Sequence, residues 1–355
     1  MTDIRVEALE EPIAAKLREE CRSDTYPAAS VRVFPSGCAH TDCYQKSAER
    51  FRDFEIREDD VWVASYPKCG TTWTQEMVWL IANNLDFEKA KAERLTERVP
   101  FFDFPAIVSK SIPGIPEDIL QFFSEMKTKR IFKTHLTKDL LPLQIWTKKP
   151  KVIYVARDPK DVVVSYYHHH RLWNGYTGTF EDFFEGFLAD VLVYSPFWDH
   201  VLDYWKLRDE PHILFNTYEE MKRDLHGVIR KTADFLGKSL NEEQVNQLAE
   251  HLSFRSMKSN PATNLEIFAE LERKRHGLPE QPDLKFIRQG ECGGWRKEMT
   301  QEMADKLDAW TKQRLEGTGY NLSSFNKISD VKGHTVGQVV MDHFQTEAST
   351  LPQRI

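Results

Sequence analysis

Residues 61–77 read VWVASYPKCGTTWTQEM. A short apolar run, 61–66, ends in Pro-Lys-Cys-Gly-Thr-Thr, and a helical pattern over 71–84 begins at once. An apolar strand feeding a helix through such a turn is the opening unit of an α/β sheet. A helix N-terminus presents unpaired backbone N–H groups and the positive end of the helix dipole, which together suit an anion. Gly70 lets the backbone approach closely, Thr71 and Thr72 add hydroxyls, and Lys68 adds a full positive charge. The junction therefore reads as a phosphate cradle. It departs from the nucleotide-hydrolase pattern G-x-x-x-x-G-K-[ST], because its lysine precedes its glycine.

Three further runs extend this reading outward: 130–135 (RIFKTH), 151–156 (KVIYVA) and 212–216 (HILFN). Each is short, apolar and followed by polar residues, the pattern of strands buried on both faces. Helical patterns occupy 158–173, 180–207, 217–237, 241–252 and 299–316. The alternation predicts an α/β fold, a single domain with a parallel β-sheet flanked by helices around a P-loop-like nucleotide-binding core. Residues 1–50 are expected as an irregular N-terminal segment packed on that core, 51–320 as the domain, and 321–355 as a partly mobile C-terminal extension. The proline- and aromatic-rich stretch 100–118 reads as a loop. Residues 258–294 read as a long, broken connection with a helix near 265–275, of the kind that forms lids.

Composition narrows the class. The chain has 355 residues, 41% of them hydrophobic and 29% charged, which suits a globular protein with a sizeable core. A formal net charge of −7 argues against a nucleic-acid partner. No stretch approaches the roughly 20 apolar residues of a membrane span, so no membrane partner is expected. Residues 1–20 are mixed in charge and do not resemble a signal peptide. Five cysteines form no dense even framework, which points to a reducing, cytoplasmic setting. His168, His169 and His170 diverge by about 100° each on a helix and cannot share one ion. The sequence CAHTDC, 38–43, lacks a second ligand cluster, so no metal site is expected. Trp62, Trp79 and Trp205 read as core, and ERKRHG, 272–277, as a solvated helix face.

The cradle has company. In VIYVARDPKDVVVSYYHHHR, 152–171, a second strand turns into a helix with Arg157 at the turn and Ser165 one or two turns beyond. Arginine is suited to bidentate phosphate contact. FIRQGECGGW, 286–295, supplies a third basic, glycine-rich loop. Strand ends that would hold Mg²⁺ in a phosphoryl transferase carry His135 and Arg157 here rather than an acid. Three anion-binding elements suggest a nucleotide with more than one phosphate-like group, bound by protein alone.

YPKCGTTW, FKTHL, RDPKDVVVSYYHHH and RQGECGGW resemble, in order, the signature blocks of the cytosolic sulfotransferase family, in an insect-like branch; TYEEM and NPATN match as well. The resemblance spans roughly residues 50–315 and implies a sulfotransferase that uses 3′-phosphoadenosine-5′-phosphosulfate (PAPS), without a metal, and releases 3′-phosphoadenosine-5′-phosphate (PAP). It implies that Lys68, Cys69, Gly70, Thr71 and Thr72 bind the 5′-phosphosulfate and that Trp73 stacks on adenine. Arg157, Ser165, Arg288, Gln289 and Gly290 would serve the 3′-phosphate, with Tyr218, Ser253, Phe254 and Met257 around the adenine. His135 would be the catalytic base, with Lys133 beside it and Lys68 stabilising the leaving phosphate.

Departures from the pattern are informative. Cys69 stands where serine is usual, Gln289 replaces a lysine, and Gly294 replaces the aspartate before Trp295. The family's dimer segment is degraded to Arg296, Thr300, Gln301 and Asp305, which leaves a homodimer open. Phe101 and Phe104 match a pair that grips planar acceptors, and His169 replaces a common phenylalanine, making the pocket more polar. The acceptor is therefore expected to be a small phenolic or catecholic molecule. Two alternatives stay open: sulfation-coupled dehydration of an alcohol such as a retinoid, known in some insect relatives, and a P-loop nucleotide kinase.

Overall fold

The computed structural model describes residues 4–277 and 284–321. Its central sheet holds four parallel strands: β4 (Val61–Ala64), β5 (Ile131–Thr134), β6 (Lys151–Ala156) and β7 (Ile213–Thr217), in the spatial order β5-β4-β6-β7. All four predicted strands are present and parallel. Every residue of β4 is buried, so its alternation of faces leaves no polar stripe, as a sheet covered on both sides requires. One face packs a core including Trp62, Phe102, Phe132 and Tyr154; the other packs Val63, Ile153, Val155 and Leu80. The chain leaves β4 toward β5 and leaves β6 toward β7, so the connections part between the adjacent strands β4 and β6. A crevice at the carboxyl ends of those strands is where such sheets bind ligands.

Several expectations needed correction. The helix expected over 71–84 ends at Ala82 and is buried almost all round, because it lies between the sheet and the outer helices. The pattern over 180–207 is two helices, Phe180–Leu188 and Phe197–Trp205. Between them, Ala39 donates its amide to Ser195 and Tyr194, at φ +71°, donates to Ala39, so this stretch forms a turn bonded to the strand Cys38–His40 instead of continuing a helix. The pattern over 217–237 also divides, at Asp224, whose carboxylate caps Leu225–Phe235 by accepting from the Gly227 amide.

The N-terminal segment is not irregular. Strands β1 (Arg5–Ala8), β2 (Val31–Phe34) and β3 (Cys38–His40) form an antiparallel sheet, flanked by helices Pro12–Glu19 and Cys43–Arg52. The strands are three or four residues long, too short for a periodic signal to rise above the polar background. The run 272–277 is not simply solvated either. Glu272 and Arg273 are buried, and Arg273 donates to the Leu284 carbonyl and to Glu266. The expected helix near 265–275 is present as Glu266–His276. Residues 278–283 of the long connection and the C-terminal extension beyond 321 lie outside the described residues.

Candidate active site

The loop after β4 turns sharply. Lys68 has φ +68° and Gly70 φ +104°, both in the left-handed region. Such a conformation at a lysine costs free energy that the surroundings must offset, and it often marks a functional turn. A side chain on Gly70 would bring its Cβ to 2.7 Å from the Tyr218 ring, so glycine is required by space as well as by φ. Cys69 is fully buried. Thr71 opens the helix and shares a 2.6 Å hydrogen bond with Ser65.

Arg157, just beyond β6, ties the three predicted elements together. It donates to the Lys68 carbonyl at 3.2 Å and to the Glu291 carbonyl at 2.8 Å, and its guanidinium lies 4.2 Å over the Tyr218 ring. Its Nε is buried without a partner among the described residues. Asp161 pins the late loop by accepting from the Gly293 and Trp295 amides. Gly290, at φ +64°, lies against Phe254, so the late loop touches the turn that Ser253 caps. Trp73 meets Tyr218 edge-on at 5.6 Å and donates to the Leu252 carbonyl; Met257 is buried just beyond. A cleft of about 370 Å³ opens here, between Trp73, Ser253, Phe254 and Leu225. Ser165 lies half-buried on the helix Pro159–Trp173, and Arg288 is paired with Glu298 at 2.6 Å. Gln289 is close to Gly294, so the two departures from the family pattern sit side by side.

The charge balance around Lys68 is one-sided. Burial, and then the charges of Lys133, Arg157 and Arg288, hold the Lys68 ammonium down to about 7. Lys68 has no carboxylate partner among the described residues; its ammonium rests 4.6 Å over the Phe286 ring. Lysine crowded by three cations in a partly desolvated site lacks its counter-charge, and an anion would supply it.

The second half of the site stands on β5. His135 Nδ1 lies 2.7 Å from the Ser65 carbonyl. A carbonyl oxygen only accepts, so Nδ1 carries the proton and Nε2 keeps its lone pair. Burial and the adjacent Lys133 charge push the imidazole well below its usual pKa, so it is neutral. The backbone around it is held by Asp103, which accepts from the His135 amide and, at 2.7 Å, from the Tyr194 hydroxyl. His200 Nε2 donates to the His135 carbonyl at 2.9 Å. Lys133 sits 3.8 Å over the Phe101 ring, and burial lowers it to about 8.

Phe101 stands edge-on to His135 at 5.3 Å and 6.1 Å from Phe104. His169 is near enough to Lys68, Lys133 and His135 for all three to bear on its charge, and its Nδ1 is buried without a partner among the described residues. The predicted acceptor residues are thus gathered beside the predicted base. Sequence reasoning missed Asp103, Tyr194, Asp161 and Phe286. Asp103, alone among the aromatics of VPFFDF, was the one with a visible signal: a carboxylate there must be buried and bonded. Among the described residues no cluster of His, Cys, Asp or Glu suited to a metal ion is found, and no helix is long and apolar enough to cross a membrane.

Comparison with known proteins agrees with this arrangement. Residues 58–319 match the model of the sulfotransferase domain. The chain is 46% identical over 288 residues to luciferin sulfotransferase of Photinus pyralis, covering 78% of this chain and 77% of that protein. It is 36% identical to mouse sulfotransferase 1B1, over 76% and 87% of the two chains. A solved retinol dehydratase in complex with androsterone and the inactive cofactor PAP is 33% identical, with a TM-score of 0.78 over 90% of this chain and 98% of that one. The chain with these relatives, this parallel sheet and this cation-lined crevice belongs to the cytosolic sulfotransferase family, in its insect-like branch, and is a PAPS-dependent sulfotransferase.

Proposed function

We propose that this enzyme sulfates a small planar phenol or catechol, with His135 as the base and Lys68 facing the phosphate that departs. The donor supplies an activated sulfuryl group. Lys68 and the amides of Cys69, Gly70, Thr71 and Thr72 hold its 5′ end. Arg157, Ser165, Arg288 and Gly290 hold the 3′-phosphate, Gln289 contributing less than a lysine would. Trp73, Tyr218, Ser253, Phe254 and Met257 flank the adenine. Lys68, crowded by Lys133, Arg157 and Arg288 and without a carboxylate partner among the described residues, is the observation that carries the reading.

Nε2 of His135 accepts the proton of the acceptor hydroxyl as its oxygen attacks. The Ser65 carbonyl stabilises the imidazolium that forms, by accepting from Nδ1. Lys68 keeps its positive charge beside the bridging oxygen, where negative charge develops, so no divalent ion is needed. Phe101, Phe104 and His169 hold the acceptor ring, Lys133 and the His135 imidazole bordering it. His169 Nδ1 offers a partner to a second polar group on the acceptor.

Binding should be linked to protons. Lys68 is already charged at pH 6 and largely neutral above pH 7 in the free enzyme, and an anion restores its charge. PAP binding is expected to take up protons at pH 8, and less as the pH is lowered toward 6, where Lys68 is already charged, measured by calorimetry in buffers of different ionisation enthalpy.

Family membership displaces the nucleotide-kinase alternative. Sulfation-coupled dehydration is retained as a second reading, because solved neighbours with a TM-score of 0.78 are retinol dehydratases. Mass spectrometry after incubation with PAPS and a panel of phenols, catechols, steroids and retinol separates them. Sulfate esters of the phenols are expected. A panel in which only retinol reacts, losing water, would replace the first reading by the second.

A further inference from the structure

The chain before residue 58 lies outside the matched sulfotransferase domain, yet part of it packs directly behind the acceptor residues. Tyr26 meets Trp173 edge-on at 5.8 Å. Trp173 in turn contacts His169 at 6.1 Å and Phe286 at 6.3 Å, and Phe286 carries Lys68 on its face. On the opposite side, His40 stands edge-on to Tyr194 at 5.0 Å, and Tyr194 contacts His135 at 5.4 Å. His40 is fully buried; its Nδ1 accepts from the Thr41 amide, and its Nε2 has no partner among the described residues.

Hydrogen bonds tie the same segment to the end of the helix Pro159–Trp173, to the loop that carries Phe104 and to the helix Glu266–His276. Ser23 donates to the Asn174 carbonyl, and Asn174 returns a bond to the Tyr26 carbonyl. The Ser109 amide donates to the Thr25 carbonyl, and the Thr41 hydroxyl donates to the Ala106 carbonyl, so both ends of the strap grip the loop that carries Phe104. Arg275, on the helix Glu266–His276, reaches the Thr25 hydroxyl.

We propose that residues 25–41 form a strap that builds the acceptor site, with Tyr26 and His40 as positioning residues that set the rings of Trp173 and Tyr194 and thereby the size of planar acceptor admitted. The inference rests on the reading of Phe101, Phe104 and His169 as the acceptor side. Val33, Cys38 and Ala39 anchor the strap in the core, whereas its leading end, Thr25 and Tyr26, is held mainly by hydrogen bonds to Ser23, Asn174 and Ser109 and is the part expected to tighten when an acceptor fills the site.

The test compares the wild type with Tyr26→Ala and Tyr26→Phe, using PAPS with 2-naphthol and with 4-nitrophenol. In Tyr26→Ala the ratio of kcat/KM for the bicyclic over the monocyclic phenol is expected to fall at least about fivefold, through the KM for 2-naphthol. PAP affinity should stay within about twofold, and Tyr26→Phe should restore the ratio, since the contact is made by the ring. A second measurement needs no variant. Adding 2-naphthol to the wild-type complex with PAP should slow amide hydrogen exchange across residues 22–26. An unchanged ratio in a folded Tyr26→Ala, or unchanged exchange in the wild type, overturns the strap while leaving phenol sulfation standing. A wild type that sulfates neither phenol overturns the acceptor reading and the strap with it.

Discussion

His135→Ala is expected to lower kcat by about 10²–10⁴-fold, the range a positioned general base supplies, while PAP still binds with nearly wild-type affinity. The reason is geometric. Nδ1 is committed to the Ser65 carbonyl, so Nε2 is the free basic nitrogen, and the imidazole stays neutral through the physiological range. Its depressed basicity belongs to the enzyme without an anion, since Lys133 and Lys68 contribute to it; a bound anion beside those lysines relieves part of that repulsion. His135→Gln is the informative companion, because it preserves a hydrogen bond to the acceptor without a proton-accepting nitrogen. Calorimetry with PAP and steady-state kinetics together decide the point. Near-normal turnover in either variant removes His135 from the role of base.

Lys68→Met should lower kcat by about 10²–10³-fold, the cost of removing one preorganised charge from the place where negative charge develops. Methionine keeps most of the apolar stem but removes the ammonium that rests on Phe286, so the variant deletes the charge with little change in side-chain volume. PAP affinity should weaken much less than kcat falls, because Arg157 and Arg288 remain. The proton uptake at pH 8 should also largely vanish, which ties the kinetic loss to the group whose charge is restored on binding. If Lys68→Met weakens PAP binding strongly but leaves kcat at saturation unchanged, Lys68 serves the ground state rather than the departing phosphate.

The legible part of this molecule was its parallel sheet and the ends of those strands. β4, β5, β6 and β7 are buried on both faces, so each appears as an uninterrupted apolar run that ends abruptly at a polar residue. His135 and Arg157 follow two of those ends directly and Lys68 stands four residues past a third, so spacing marked Lys68 and Arg157 as anion-binding candidates, while the role of His135 came from the family resemblance. What stayed hidden was set by contacts distant in sequence. Nothing local in VRVF or CAH announces a sheet whose outer partner is the turn at Tyr194–Ser195. The division of 180–207 into two helices follows from that same pairing, which periodicity within the segment does not record. Asp103 and Tyr194 were invisible as a pair because 91 residues separate them. Burial of Glu272 and Arg273 was missed for the converse reason: charge suggests solvent, but mutual pairing and backbone acceptors let a charged run turn inward.

One measurement probes the shared site at its root: calorimetric titration of the enzyme, in EDTA, with PAP and with adenosine 5′-phosphate. Two anion-binding junctions acting on one ligand predict that PAP binds at least about 100-fold more tightly, the worth of one or two charge-assisted contacts to the extra phosphate. The gap should narrow in Arg157→Ala and persist in His135→Ala. Equal affinities for the two nucleotides, or PAP binding that appears only when Mg²⁺ is added, would contradict it.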